Sequence, residues 1–195
     1  MITALSVTAF QTSLNDDLKR WDSFSRNVES VKLSKWIHNS AVTFLKGKNP
    51  ATMKIKTPPY FGKLGLFVTI VKDRKVRGCF GAFSHSSDSI DKCLRRYIKG
   101  ALYLDPRYKK IEIWELEDSE VILTVASQPV EVNSLNDIDI SMSGVLIEKE
   151  GQPGTVIVPA EYITESSMKS AVKCSSDCHI YKFNAVTIKN PESHI

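Results

Sequence analysis

The sequence predicts an α+β fold of mostly antiparallel sheets flanked by helices, and three observations carry that prediction. Two pairs of apolar, β-branched runs, Leu66 to Phe83 and Gly144 to Val158, are each joined by a polar turn, which is the mark of a hairpin. Two other stretches, Leu33 to Leu45 and Ile90 to Leu102, repeat their apolar residues every three or four positions, as one face of a helix requires. No internal repeat and no low-complexity segment interrupts them.

In chain order, Ile2 to Phe10 is mildly apolar, and Leu18, Trp21 and Phe24 then recur at three-residue spacing, which fits a short helix or a partly ordered arm. From Val31 onward Leu33, Trp36, Ile37, Ala41, Phe44 and Leu45 define a helix that Gly47 and Asn49-Pro50 end. His38 lies on it without a partner in sequence, which reads as a structural or exposed histidine. Pro58, Pro59 and Gly62 make residues 51–63 an irregular connection. Leu66 to Val71 and Val76 to Phe83 form the first hairpin across Asp73-Arg74-Lys75. Ser87 or Asp88 caps the next helix, whose inner positions are Ile90, Leu94, Tyr97, Ile98, Ala101 and Leu102. Asp105-Pro106 stops it, because proline cannot continue a helix and biases Asp105 toward extended angles. An apolar region begins at Trp114 to Leu116; a strand over Val121 to Val125 is closed by Pro129. The second hairpin turns at Glu150 to Gly154, a short helix is expected over Ser167 to Cys174, and Ile180 to Ile188 is a final strand before a polar tail.

At 195 residues the chain buries about 70% of its unfolded surface, so a core of ordinary size is available. Hydrophobic residues at 42% and charged residues at 25% exclude a disordered chain. Twenty-six Lys and Arg against 22 Asp and Glu give +4, but the excess is dispersed, which is weak support for nucleic-acid binding. Lys92, Arg95, Arg96 and Lys99 form the one basic stripe, equally well read as a solvent face. No run approaches the roughly 20 apolar residues of a membrane span, so no membrane association is expected. Met1 to Gln11 lacks a basic start and a sustained apolar stretch, so reduced thiols in a cytoplasm are expected.

The chemistry concentrates in Val76-Arg77-Gly78-Cys79-Phe80-Gly81. Strand alternation sends Arg77, Cys79 and Gly81 to one face and Val76, Gly78 and Phe80 to the other. Cys79 is the candidate catalytic residue, because a nearby Arg favours the thiolate; the competing reading is a small packed hydrophobe. Arg77 and Arg107 are candidate ligand-binding residues for a phosphate or carboxylate, helped by backbone N–H groups at Gly78 and Gly81. Arg77 is equally able to form a structural pair with Asp105. Asp105 and Pro106 read as a structural turn in which the carboxylate caps backbone donors. His85 is close enough in sequence to act as a base for Cys79. Cys174, Cys178 and His179 have the spacing Cys-x3-Cys-His, which matches neither haem attachment nor a zinc finger, so no metal is expected. The cofactor is unknown, and no Walker loop, G-x-G-x-x-G or H-E-x-x-H occurs.

Three stretches in order resemble the AMMECR domain family: Gly65-Leu66-Phe67-Val68-Thr69, Val76 to Phe83 and Asp105-Pro106-Arg107-Tyr108. They stand where that family shows a Phe-Val-Thr strand, a Leu-Arg-Gly-Cys-Ile-Gly-Thr-Phe motif and an Asp-Pro-Arg-Phe motif. Thr124 to Pro129, Gly144 to Ile147 and Val158-Pro159 extend the likeness to about residues 31 to 188. The sequence departs from the family pattern at Ser143, where a histidine is common, and in lacking a Trp after the Val-Pro step. The resemblance implies a two-lobed α+β domain over residues 28–190, with residues 1–27 as an N-terminal arm or extension and 191–195 as a tail. It implies an inter-lobe cleft faced by the Arg-Gly-Cys strand, and association with Memo-like and radical-SAM proteins, but no reaction. The expectation is a domain that binds a small anionic ligand or a partner at Arg77 and Cys79. The alternatives are a cysteine-dependent enzyme or enzyme component acting with those proteins, and a nucleotide or nucleic-acid binding module.

Overall fold

A computed structural model describes residues 16–133, 138–139, 142–151, 154–161 and 178–190. The elements run α1 (residues 16–25), α2 (Val28–Leu45), β1 (Gly65–Lys72), β2 (Lys75–Ala82), α3 (Ile90–Tyr103), α4 (Ile113–Glu117), β3 (Glu120–Ala126), β4 (Val130–Glu131), β5 (Ser143–Lys149), β6 (Thr155–Ile157) and β7 (Cys178–Ile188). A 3₁₀ turn, Pro159–Glu161, follows β6. The expected α+β architecture is present. All strand pairs are antiparallel, in the order β2-β1-β3-β7-β5-β6, with β4 on the same side of β7 as β3. The short helix expected over Ser167 to Cys174 lies outside the described residues.

The long strand β7 is what joins two sheets into one curled surface. Its end, Ala185 to Ile188, pairs with β3, whereas Cys178 to Asn184 pairs with β5. The helices cover one face of the β2-β1-β3 part. Leu66, Val68 and Ile70 of β1 and Val121, Leu123 and Val125 of β3 meet Leu33, Ile37 and Ala41 of α2 and Leu94, Ile98 and Ala101 of α3. Both central strands are buried on both sides, which is why they read as continuous apolar runs rather than as alternations. Ile138, Val145 and Ile157 form a separate small cluster under the other half.

Several boundaries differ from the sequence reading for local reasons. The helix expected from Val31 starts at Val28, because Asn27 accepts from the backbone N–H groups of Glu29 and Ser30. Ser89, not Ser87 or Asp88, caps α3; Ser87 instead accepts from the N–H of Ser89. The α4 helix has five residues, too few for a period to register, and Glu115 fixes its start by accepting from the N–H of Glu112. Of the two readings of Leu18, Trp21 and Phe24, a short helix or a partly ordered arm, residues 16–25 form the helix, whose Trp21 is fully buried and donates Nε1–H to Pro59 O at 2.9 Å.

The first hairpin closes with two residues, since Lys72 pairs with Lys75. Asp73 and Arg74 both take positive φ, at 50° and 59°, as a type I′ turn demands.

Candidate functional site

In β2, a strand on the sheet edge, residues alternate between bonding β1 and directing N–H and C=O outward. Cys79, opposite Thr69 on β1, directs its N–H outward, and Asp105 Oδ2 accepts it at 2.8 Å. The chain can place Asp105 there because α3 ends at Tyr103 and Pro106 keeps the preceding residue extended. Asp105 Oδ1 also accepts from the N–H and Nε of Arg107, at 3.0 and 3.1 Å, and Oδ2 accepts from Nη2 at 3.0 Å. The remaining arm of the fork reaches across the fold: Arg107 Nη1 donates to Glu161 Oε2 at 2.7 Å. Glu161 arrives from the 3₁₀ turn after β6, where the N–H of Val158 donates to Oε1 at 3.4 Å. Thr69 completes the set by donating its hydroxyl to Cys79 Sγ at 3.3 Å.

These groups set one another's protonation. Burial pushes the Cys79 thiol well above its ordinary range, and the Glu161 charge adds to it; the Thr69 hydroxyl and Arg107 act the other way without prevailing. Glu161 is itself pushed up by burial, against the pull of Arg107 and of the Val158 N–H. Asp105 goes down despite burial, because Arg107 and two backbone N–H groups bind its charged form. The site thus holds Arg107 between two carboxylates, Asp105 and Glu161, beside a thiol that keeps its proton.

Two sequence expectations are corrected here. Arg77 neither supports a Cys79 thiolate nor pairs with Asp105: it lies on the edge toward α4, where Nε and Nη2 donate to Glu115 Oε1 at 2.9 and 2.7 Å. The cation at the thiol is Arg107, and its effect is exceeded by burial and Glu161. His85 is no base for Cys79, since Nδ1 bonds Tyr97 Oη and Nε2 bonds Leu64 O, both at 2.7 Å. A carbonyl can only accept, so Nε2 carries the proton and Nδ1 accepts the tyrosine hydroxyl. From Gly78 to Gly81 the strand alternates as expected, with Cys79 against Phe67, Phe83, Ala126, Val158 and Phe183, on the side away from the helices. A bulge at Arg77, between the pairs Val71–Val76 and Ile70–Gly78, puts Val76 and Gly78 on opposite faces, which corrects the expected run there.

Matching this chain against family models finds the AMMECR1 family over residues 32–187. The chain belongs to that family. A protein from Methanococcoides burtonii is 32% identical over 143 residues, 70% of this chain and 68% of that one. One from Methanopyrus kandleri is 24% identical over 186 residues, 84% and 89% of the two chains. The crystal structure of an uncharacterized protein from Pyrococcus horikoshii has the same fold, with a TM-score of 0.62 and 19% identity over 83% of this chain and 91% of that one.

The AMMECR1 motif residues divide between chemistry and fit. A Cβ on Gly78 would stand 2.1 Å from the Ala101 carbonyl oxygen of α3, and one on Gly81 would stand 2.2 Å from Leu66 O. Both glycines let backbones approach closely. Glu161 and Thr69 went unremarked as site residues in the sequence reading. Thr69 was legible, since it sits across a two-residue hairpin from Cys79, but Glu161 is brought in from 82 residues away with no local signal. The α3 stripe is engaged within the fold: Arg95 holds Asp91 and the carbonyls of Pro50 and Ala51, and Lys99 lies over the Phe44 ring. Cys93 is buried in the core, and His179 pairs with Glu131 at 2.8 Å; Cys174 lies outside the described residues. Among the described residues no helix is long and apolar enough to cross a membrane.

Proposed function

We propose that this AMMECR1 domain is a cysteine-dependent enzyme or enzyme component in which Cys79 is the nucleophile and Glu161 its proton acceptor. The observation that carries this reading is the convergence on one half-buried thiol of Thr69, which donates to its sulfur, Asp105, which binds its backbone N–H, and Glu161, tied to Asp105 through Arg107. A carboxyl whose proton affinity is raised is a better acceptor than an ordinary one, and Glu161 is the group placed to take the S–H proton as the sulfur attacks. In the reaction the S–H proton passes to Glu161 as a sulfur electron pair bonds the electrophilic carbon. The leaving group departs with its bonding pair and recovers the proton from Glu161. Thr69 orients the sulfur lone pair, and Asp105 and Arg107 position the other two groups.

The expected anionic ligand has less support than the thiol. Arg77 is held by Glu115, and Arg107 by Asp105 and Glu161, so an anion at either guanidinium must displace a carboxylate. The aromatic surroundings of Cys79 favour an uncharged electrophile.

The test is labelling of the folded chain by iodoacetamide over pH 6 to 10, with each thiol read by peptide mass. Burial and the Glu161 charge hold the Cys79 thiol protonated, so Cys79 should lag Cys178 across this range and gain on it in Glu161→Gln, where the opposing charge is gone. A Cys79 that stays inert across the range while Cys178 reacts, in both proteins, returns Cys79 to a packing role.

A further inference from the structure

Beside the thiol site, between α3 and α4, lies an open depression of about 690 Å³ that shares Arg77, Asp105 and Tyr108 with its surroundings. Its apolar part is exposed: Leu104 and Trp114 each keep 63% of their surface. Such a group of large side chains, next to one another in water, is what interaction surfaces present. Leu104 is outward because the chain must swing Asp105 back onto the β2 edge. Trp114 is held flat by Lys72, whose Nζ lies 5.1 Å from the ring centre.

The charges around this patch are unbalanced in one direction. Of the acids lining it, Asp105 and Glu115 are held by Arg107 and Arg77, which leaves Glu112. Lys109 and Lys110, both exposed, have no ion-pair partner among the described residues. We infer that the depression is a docking site for an extended protein segment with an aliphatic or aromatic anchor flanked by acidic residues. The anchor lies between Leu104 and Trp114, and the acids meet Lys109 and Lys110.

Other occupants fit less well. A small molecule would leave much of its surface in water between side chains this exposed. A twofold contact with a second copy would set Lys109 and Lys110 against themselves, since such an interface uses one patch twice. Single-stranded nucleic acid has aromatic rings to stack on, but the two adjacent lysines, with Glu112 beside them, make a short charge cluster rather than the basic groove that tracks a phosphate backbone. This inference stands apart from the thiol reading, because the docking contacts involve neither Cys79 nor Glu161.

The experiment is selection of random twelve-residue peptides displayed on phage against the full chain, followed by fluorescence titration of the recovered sequences. Recovered peptides should carry an apolar anchor with acidic neighbours. Their affinity should drop at least tenfold in Trp114→Ala and in the double variant Lys109→Glu, Lys110→Glu, and stay unchanged in Cys79→Ser. Thermal melts of each variant confirm that it is folded, and Leu104→Glu supplies an independent surface change. The proposal is overturned by peptides without acidic bias, or by peptides that bind these variants as wild type does. It is likewise overturned by no recovery at all, by tighter binding of a twelve-residue oligothymidylate lost in the same variants, or by self-association lost in them.

Discussion

The two faces of β2 are closed by different physics. On the helix side Gly78 and Phe80 meet Ala101 and Gly100 of α3 at backbone distance, and the fit is one of shape. On the other side Cys79 is held by a hydroxyl, a carboxylate acting on its backbone and a carboxyl acting on its sulfur, and the fit is one of charge and protons. A single six-residue motif therefore carries two requirements at once. Its glycines are there for packing, and its one thiol is there for contacts made by distant parts of the chain.

The largest effect should come from breaking the shape-matched face. In Gly78→Ala the new Cβ meets a main-chain oxygen that belongs to a helix and cannot step aside alone. We expect a loss of about 3 kcal/mol, at the upper end for overpacking, read as a lower urea midpoint with an unchanged slope. A variant as stable as wild type would mean that α3 slides freely on the sheet, and the comparison of faces would lose its first half.

What the sequence showed follows the same division. Apolar, β-branched runs with polar turns between them placed the hairpins, and spacings of three and four placed both long helices, because the core draws on whole strands such as Leu66 to Val71 and on one face of Leu33 to Leu45. The alternation held from Gly78 to Gly81 but not at Arg77, where a bulge adds a residue that a period of two cannot show. The polar site was less legible. Pairing Arg77 with Cys79 by proximity failed, since a strand displays neighbours on one face while the partners come from elsewhere, Glu115 for Arg77 and Glu161 for Cys79. The capping role of Asp105 was readable because Asp-Pro constrains its own turn, yet its bond to Cys79 depends on where α3 delivers it.

On the charged face the effect should be smaller and dependent on pH. The folded Asp105 carboxyl lies below its unfolded value near 3.8, so its contribution is complete above that pH and is lost as pH falls through the folded value. Glu161 has the opposite sign. Its folded value is raised above 4.5, so its contribution is present below pH 4.5 and lost as pH rises through the folded value. Asp105→Asn should cost about 2 kcal/mol at pH 7, the range for hydrogen bonds to a charged group. The deficit should shrink below pH 3.8 as wild type also loses the charge. Urea midpoints at pH 7 and pH 3 compare the two proteins, and an equal deficit at both would assign the effect to packing instead.

The smallest effect compares two buried threonines on the charged face, Thr69 and Thr124. Both are fully buried, and both face the side of the sheet that carries Cys79, since Thr69 pairs with Cys79 while Thr124 pairs with Phe67, two residues along β1 from Thr69. Thr69 donates to the sulfur, whereas the Thr124 hydroxyl has no hydrogen-bond partner among the described residues. Valine has nearly the shape of threonine, so exchanging it removes the hydroxyl and little else. Thr69→Val should lower stability by about 1 kcal/mol, and Thr124→Val should raise it by about the same amount, because a buried hydroxyl without a partner costs its desolvation. Thermal melts of both variants give the sign directly. If Thr124→Val were also destabilising, its hydroxyl would have to be bonded in solution, and water or a ligand reaching this face would become the better account of it.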